Sequence, residues 1–197
     1  NRTLRLAIYT ETHSALLYSA SEIEVHTPET LSNQKYLARL GPDALDDYVV
    51  WRDLLTRLQD PKFAGRSLAA LYLDQSFVAG IGNYLRSEIL FNAGLNPFDR
   101  PKDLSRRQLG VLARNTLALT RQAYATSGVT NTAARGNKLQ AMGLSRRRYR
   151  HLVFDRQNED CYRCGGTVER IEVSGRRIYV CYACQPSVRT AMTKAEP

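Results

Sequence analysis

Four cysteines in two pairs restrict the fold of this chain more than any other feature: Cys161-Tyr162-Arg163-Cys164, then sixteen residues, then Cys181-Tyr182-Ala183-Cys184. Thiolates on this spacing can meet one ion from a tight turn, and two such turns complete a tetrahedral four-sulfur site. That site is closed to water and substrate, so its metal, expected to be Zn2+, holds structure together and does no chemistry. Two disulfides are the alternative; the paired spacing and the lack of a signal peptide at the start of the sequence favour zinc. Between the pairs, Val168, Ile171, Val173, Ile178 and Val180 favour strands and Ser174-Gly175 favours a turn, so the insert reads as a hairpin. Arg176 and Arg177 sit at its tip, either solvated or held out to a polyanion.

Charge bears on that choice. The 197 residues carry a formal +9, but residues 1–99 hold −3 and residues 100–197 hold +12. A basic half rich in arginine with interleaved tyrosines fits a nucleic acid partner, with a solvated basic face as the bland reading. No apolar run approaches the roughly 18 residues needed to span a bilayer. A cytoplasmic protein follows as the expectation.

Along the chain, Leu4–Tyr9, Ala15–Tyr18 and Ile23–Val25 read as strands around the polar turn Thr10–Ser14. Three short strands make a poor sheet, and the sequence opens on Asn1-Arg2 without a methionine, so they are expected to complete a sheet begun upstream. Thr27-Pro28-Glu29 starts a helix that Gly41-Pro42 stops. A second helix is expected from about Asp47 to Gln59, with Val50, Leu54, Leu55 and Leu58 on one face, Trp51 in the core and Pro61 closing it. A third begins at Ser67. Then Gly80-Ile81-Gly82-Asn83 predicts two tight turns, with positive φ open to both glycines and Asn83 capping a helix that ends at Gly94. Free amides at that helix start suit a phosphate; a helical hairpin without a ligand is the alternative. Ser105-Arg106-Arg107-Gln108 reads as a capping box with Leu104 stapled to Leu109. The helix it opens carries Arg106, Arg107, Arg114 and Arg121, as solvated surface or as a phosphate rail. Residues 125–145 read as a long mobile loop leading into Arg146-Arg147-Arg148-Tyr149-Arg150, where a nucleic-acid contact is favoured over a plain linker. His13, His26 and His151 are scattered, with no metal-ligand spacing.

Two separated features resemble the formamidopyrimidine-DNA glycosylase and endonuclease VIII family. One is Leu73-Asp74-Gln75 with Val78-Ala79-Gly80-Ile81-Gly82-Asn83; the other is the cysteine quartet with its hairpin arginine. Leu16–Glu24, Leu40-Gly41-Pro42-Asp43 and Asn83-Tyr84-Leu85-Arg86 are more similar to the endonuclease VIII branch. The resemblance implies an α+β fold: remnant strands of an N-terminal β-sandwich lobe (1–26), a helix-two-turn-helix domain (27–125), a basic loop (126–148), a four-cysteine zinc finger (149–190) and a tail (191–197). It also implies a bifunctional enzyme of base-excision repair. Such an enzyme removes oxidised bases, chiefly pyrimidines, after flipping them from the duplex, then cleaves the abasic strand by β,δ-elimination.

By resemblance, Arg39 and Asn83 contact DNA, Arg176 contacts phosphates at the lesion and takes part in elimination, and Cys161, Cys164, Cys181 and Cys184 bind structural Zn2+. Arg177 competes with Arg176 for that assignment. The family's nucleophile is the amine of an N-terminal proline, beside a glutamate and with a lysine in the N-terminal lobe; none of the three occurs in this sequence. The chain alone is therefore expected to be inactive and to need the missing N-terminal lobe of the same protein. Its expected partner is double-stranded DNA with oxidised bases or abasic sites, bound by a monomer near the nucleoid. Two other classes stay open: a non-catalytic DNA-binding or scaffold protein, and a zinc hairpin serving a protein partner.

Overall fold

A computed structural model describes residues 2–31 and 33–188. The expected tail, 191–197, and residues 189–190 of the expected finger lie outside it. The chain divides into two compact units, residues 1–38 and 39–197.

In the first unit, β1 (Leu4–Tyr9) pairs antiparallel with β2 (Ser14–Tyr18), with Ala7 opposite Leu16 and Ile8 opposite Ala15. Ile23–Val25 forms no strand, and the expected helix reduces to α1 (Pro28–Leu31) and a 3-10 turn at Leu37–Arg39, whose last residue is the first of the second unit. The reason is burial: Leu31, Tyr36 and Leu37 are all exposed, and a short helix without a packed face has little to hold it.

The second unit is built on helices. α2 (Trp51–Gln59) starts later than expected, because the Asp53 carboxylate accepts the N–H of Val50 and closes the first turn there. Leu54, Leu55 and Leu58 are buried, but Val50 is exposed and Trp51 only half-buried. Pro61 does more than stop α2. Asp60 accepts the N–H of Lys62 and opens α3 (Pro61–Ala64). Ser67 caps α4 (Leu68–Leu71). α5 (Asn83–Ala93) ends on Gly94, whose φ of 68° gives the left-handed cap. α6 (Arg106–Ala125) has the expected capping box, with Leu104 and Leu109 buried beside it.

The stretch expected to be a loop holds α7 (Ala133–Ala141), capped by Thr132, and α8 (Arg146–Tyr149). Its apolar signal is sparse: of α7 only Gly136 and Leu139 are buried. β3 (Glu169–Val173) and β4 (Arg176–Val180) then form the hairpin. Its turn, Ser174-Gly175, has φ of 56° and 69°, the two positive values a tight hairpin turn requires.

Leu54, Leu58, Phe63, Leu71, Phe77, Ile89, Leu112 and Ile178 belong to one continuous core, so β4 is packed into the helical unit. A second cluster joins Phe91 of α5 to Leu152, Val153, Val168, Tyr179 and two of the cysteines.

Candidate functional site

Two turns link α4 to α5, and the segment beside them sets their path. Gly41 donates its N–H to the Gln75 carbonyl at 2.8 Å, and Ala79 donates to the Pro42 carbonyl at 3.0 Å. A Cβ on Gly41 would lie 2.6 Å from the Phe77 oxygen, so only glycine permits this approach. From the other side Arg57 donates Nε to the Phe77 carbonyl at 2.9 Å and Nη2 to the Ser76 carbonyl at 2.6 Å. Gln75 spans the turns, accepting the Gly80 N–H at 3.0 Å and donating to the Ile81 carbonyl at 3.0 Å. Gly80 has the expected positive φ of 86°, whereas Gly82 sits at −103°, a value open to any residue. Gly82 is also the N-cap; Asn83, expected there, is the first residue of the helix.

That shift frees the Asn83 side chain for a partner. Its Oδ1 accepts from Arg86 Nη2 at 2.8 Å, and the same nitrogen lies 3.0 Å from the Arg177 carbonyl and 3.4 Å from that of Arg176. Arg86 Nη1 donates to the Ala69 carbonyl at 2.8 Å. One buried guanidinium thus ties the helix after the two turns to the start of β4. Burial, and then the charge of Arg176, lower its pKa to about 10. Sequence reasoning gives Arg86 no role; an arginine in the first turn of α5, followed at once by Ser87 and Glu88, reads as solvated surface, whereas all three are buried.

Arg176 and Arg177 are both exposed, and strand alternation separates them. Arg176 shares a face with Ile178, which enters the helical core, whereas Arg177 lies opposite Glu172 and shares a face with Tyr179. Arg39, at the exposed end of its turn, directly precedes the 40–44 segment and is not part of the Arg86 cluster. In the basic run before the knuckle, Arg146 bonds to the Thr126 and Ser127 carbonyls, Arg147 pairs with Asp155 and Arg148 with Glu159.

Glu88, on α5, is fully buried. It accepts from Thr130 Oγ1 at 2.6 Å and from the N–H groups of Leu152, Val153 and Phe154 at 2.7, 2.8 and 2.8 Å. Burial pushes its pKa up and these four donors pull it back. Beside it, buried His151 lies 3.2 Å from Thr130 Oγ1, and burial lowers its pKa to about 4. A cavity of about 460 Å³ opens next to His151, lined by Tyr84, Tyr124, Ser127, Arg150 and Phe154.

The four cysteine sulfurs lie within 4.8 Å of one another, with Cys161 to Cys184 at 3.8 Å and Cys164 to Cys181 at 3.5 Å. A disulfide needs about 2.05 Å. Four ligands about 2.3 Å from one ion stand roughly 3.8 Å apart in a tetrahedron, so the quartet fits a metal. The N–H groups of Arg163 and Gly166 point at the Cys161 and Cys164 sulfurs, both at 3.4 Å. The Gly166 N–H foremost lowers the Cys164 thiol to about 7, while burial raises Cys181 and Cys184.

A two-turn helical pair bonded to a four-cysteine hairpin defines the class: a helix-two-turn-helix protein with a C-terminal finger. Residues 40–134 match the model of the formamidopyrimidine-DNA glycosylase H2TH domain. Endonuclease 8 of Escherichia coli O6:K15:H31 is 42% identical over 184 residues, which is 93% of this chain and 66% of that protein. Endonuclease 8 of Escherichia coli O157:H7 is likewise 42% identical over the same shares. The MutM (Fpg) protein of Thermus thermophilus superposes with a TM-score of 0.65 at 28% identity, covering 94% of this chain and 73% of that one. Lactococcus lactis Fpg, solved non-covalently bound to DNA containing an AP site, shares the fold with a TM-score of 0.62 at 20% identity, over 88% and 56%. The chain belongs to the formamidopyrimidine-DNA glycosylase and endonuclease VIII family. It spans 66% of the length of the endonuclease 8 relatives it matches.

Proposed function

We propose that this chain is the DNA-binding part of a base-excision repair enzyme, a bifunctional DNA glycosylase and AP lyase acting on oxidised bases, chiefly pyrimidines. The observation that carries the reading is the Arg86 cluster, which fixes Asn83 and the backbone of Arg176 to one guanidinium. Two groups able to contact neighbouring phosphates are thereby held in one frame. Asn83 and Arg39 contact the DNA backbone; Arg176 neutralises phosphates beside the lesion and steadies the charge that leaves in β,δ-elimination. The cavity beside Tyr84 accepts the extruded base, which such chemistry must take out of the stack. Cys161, Cys164, Cys181 and Cys184 hold Zn2+, which supplies structure alone.

The nucleophile is the amine of a proline in an N-terminal lobe of the same protein, and the 197 residues here contain no counterpart. The family partner is duplex DNA with oxidised or abasic sites, bound by a monomer in the nucleoid-bearing cytoplasm. The test uses an abasic duplex. The 197-residue chain should bind it in a salt-dependent manner and should form no borohydride-trapped adduct, and joining the chain to a proline-initiated lobe should restore trapping and strand cleavage. Binding without cleavage in the joined protein would instead support a non-catalytic DNA-binding protein.

A further inference from the structure

The basic face of α6, with Arg114 and Arg121, is not part of the proposed DNA-binding site. Where it meets the start of α2, a groove of about 360 Å³ opens between Val49, Trp51, Leu117 and Ala118, with Arg114 and Arg121 on its edge. Its floor is apolar, and Val50 at its mouth is 47% exposed. The guanidinium carbons of Arg52 and Arg114 each lie 4.8 Å from the centre of the Trp51 ring. Arg121 is occupied differently, donating to the carbonyls of Asp46 and Val49 at 3.0 and 2.9 Å and so shaping the groove wall.

Neither Arg52 nor Arg114 is in an ion pair among the described residues. The nearest carboxylate in sequence, Asp53, is engaged by the N–H of Val50. Two unpaired cations thus flank an apolar slot. Nucleic acid would satisfy the cations and leave the slot empty, and guanidinium groups already stand over the indole on which a base would stack. A second copy of this chain would bring more positive charge, since the net charge is +9.

We propose that the groove between α2 and α6 docks a short acidic peptide segment of a partner protein, its carboxylates on Arg52 and Arg114 and an adjacent bulky apolar side chain in the slot beside Trp51, between Val49, Leu117 and Ala118. Arginine pairs carboxylates through a planar fork, and a single anchored apolar side chain supplies the remaining affinity. This site is separate from Asn83 and the hairpin.

Trp51 is the only tryptophan, so its fluorescence reports on the groove directly. The probe is an acetylated hexapeptide of four aspartates followed by leucine and phenylalanine, titrated into the zinc-loaded chain. A saturable change in Trp51 emission is expected, weakened about tenfold by Arg114→Glu and by Ala118→Glu, an exposed position on α6. Ala118→Glu should leave affinity for an abasic duplex unchanged, which separates this site from the DNA-binding surface. Thermal melting checks each variant, and Arg52→Glu replaces any that unfolds. The proposal is overturned if the emission is unmoved at about 1 mM peptide. Equal binding of a peptide with asparagine for aspartate would overturn it too. So would a Trp51 response to duplex DNA that Arg114→Glu removes, or one that follows protein concentration with no peptide present.

Discussion

Arg86 shows how much one side chain can arrange. Its guanidinium reaches Ala69, Asn83 and the Arg176–Arg177 backbone, and lysine, with a single nitrogen, cannot meet acceptors spread in that fork. Arg86→Lys should cost about 2–4 kcal/mol in urea unfolding, and it should also weaken duplex binding, because Asn83 and the hairpin lose their common anchor. The two hairpin arginines should separate cleanly. In the chain joined to the proline-initiated lobe of the proposed function, Arg176→Ala should abolish most strand cleavage at unchanged zinc content, whereas Arg177→Ala should leave most of it, since the strand turns that residue to the Tyr179 face. Zinc content by metal analysis and cleavage of an abasic duplex decide the matter; equal loss in both variants would sink the assignment. Arg57 and Gly41 act one step further back. Gly41→Ala would set a Cβ 2.6 Å from a carbonyl oxygen, and should lower stability by about 1–3 kcal/mol as the two turns are pushed aside.

At the level of elements, α5 is joined to the segment before the knuckle by Glu88 and His151. Glu88 faces four donors and no acceptor it could serve, so the carboxylate is the form that fits despite the cost of burial. Glu88→Gln turns an amide toward backbone N–H groups and should destabilise the chain by about 2–4 kcal/mol, read by thermal melting. His151 sets a pH dependence. Its folded pKa is about 4 against 6.5 in the unfolded chain, so the unfolded state binds the extra proton. Stability present above pH 6.5 is lost as pH falls toward 4, by about 3 kcal/mol in full. His151→Phe keeps the ring contacts with Tyr84 and Phe154 and should flatten that part of the profile; a parallel profile in the variant would refute the cause. These links are also where the sequence is silent. The cysteine spacing, the Ser174-Gly175 turn and the Ser105 capping box are local signals, each complete within a few residues, and they are legible. Asn83 falls one position from its expected place because Gly82 and Asn83 are both acceptable caps. α7 escapes a pattern reading because its apolar face is little more than Leu139. Glu88 meets partners 42 to 66 residues away and Arg86 reaches the hairpin backbone 90 and 91 residues on, which no local pattern announces.

In the molecule as a whole, the cysteine quartet, able to hold a metal, and the helical core meet the same hairpin from opposite ends. Ile178 packs into the helical core, and Tyr179 donates its N–H to Ser87 Oγ, while Cys181 and Cys161 sit in the second cluster with Val168 and Phe91. Chelation should therefore have a bounded effect. Without the ion, four sulfurs this close lose the charge that holds them, and the knuckles with residues 152–168 should loosen. The helices from α2 to α6 keep Leu54, Phe63, Ile89 and Leu112 buried among themselves and should stay folded. Hydrogen exchange before and after chelation should show protection lost in the knuckles and residues 152–168 and retained in α5, α6 and the core-packed end of β4. On the proposed DNA-binding reading, duplex affinity should fall and its salt dependence should become shallower, since a loosened finger would neutralise fewer phosphates. Protection lost evenly across the helices would mean that the metal sustains the whole unit, and the division of support between ion and core would have to be abandoned.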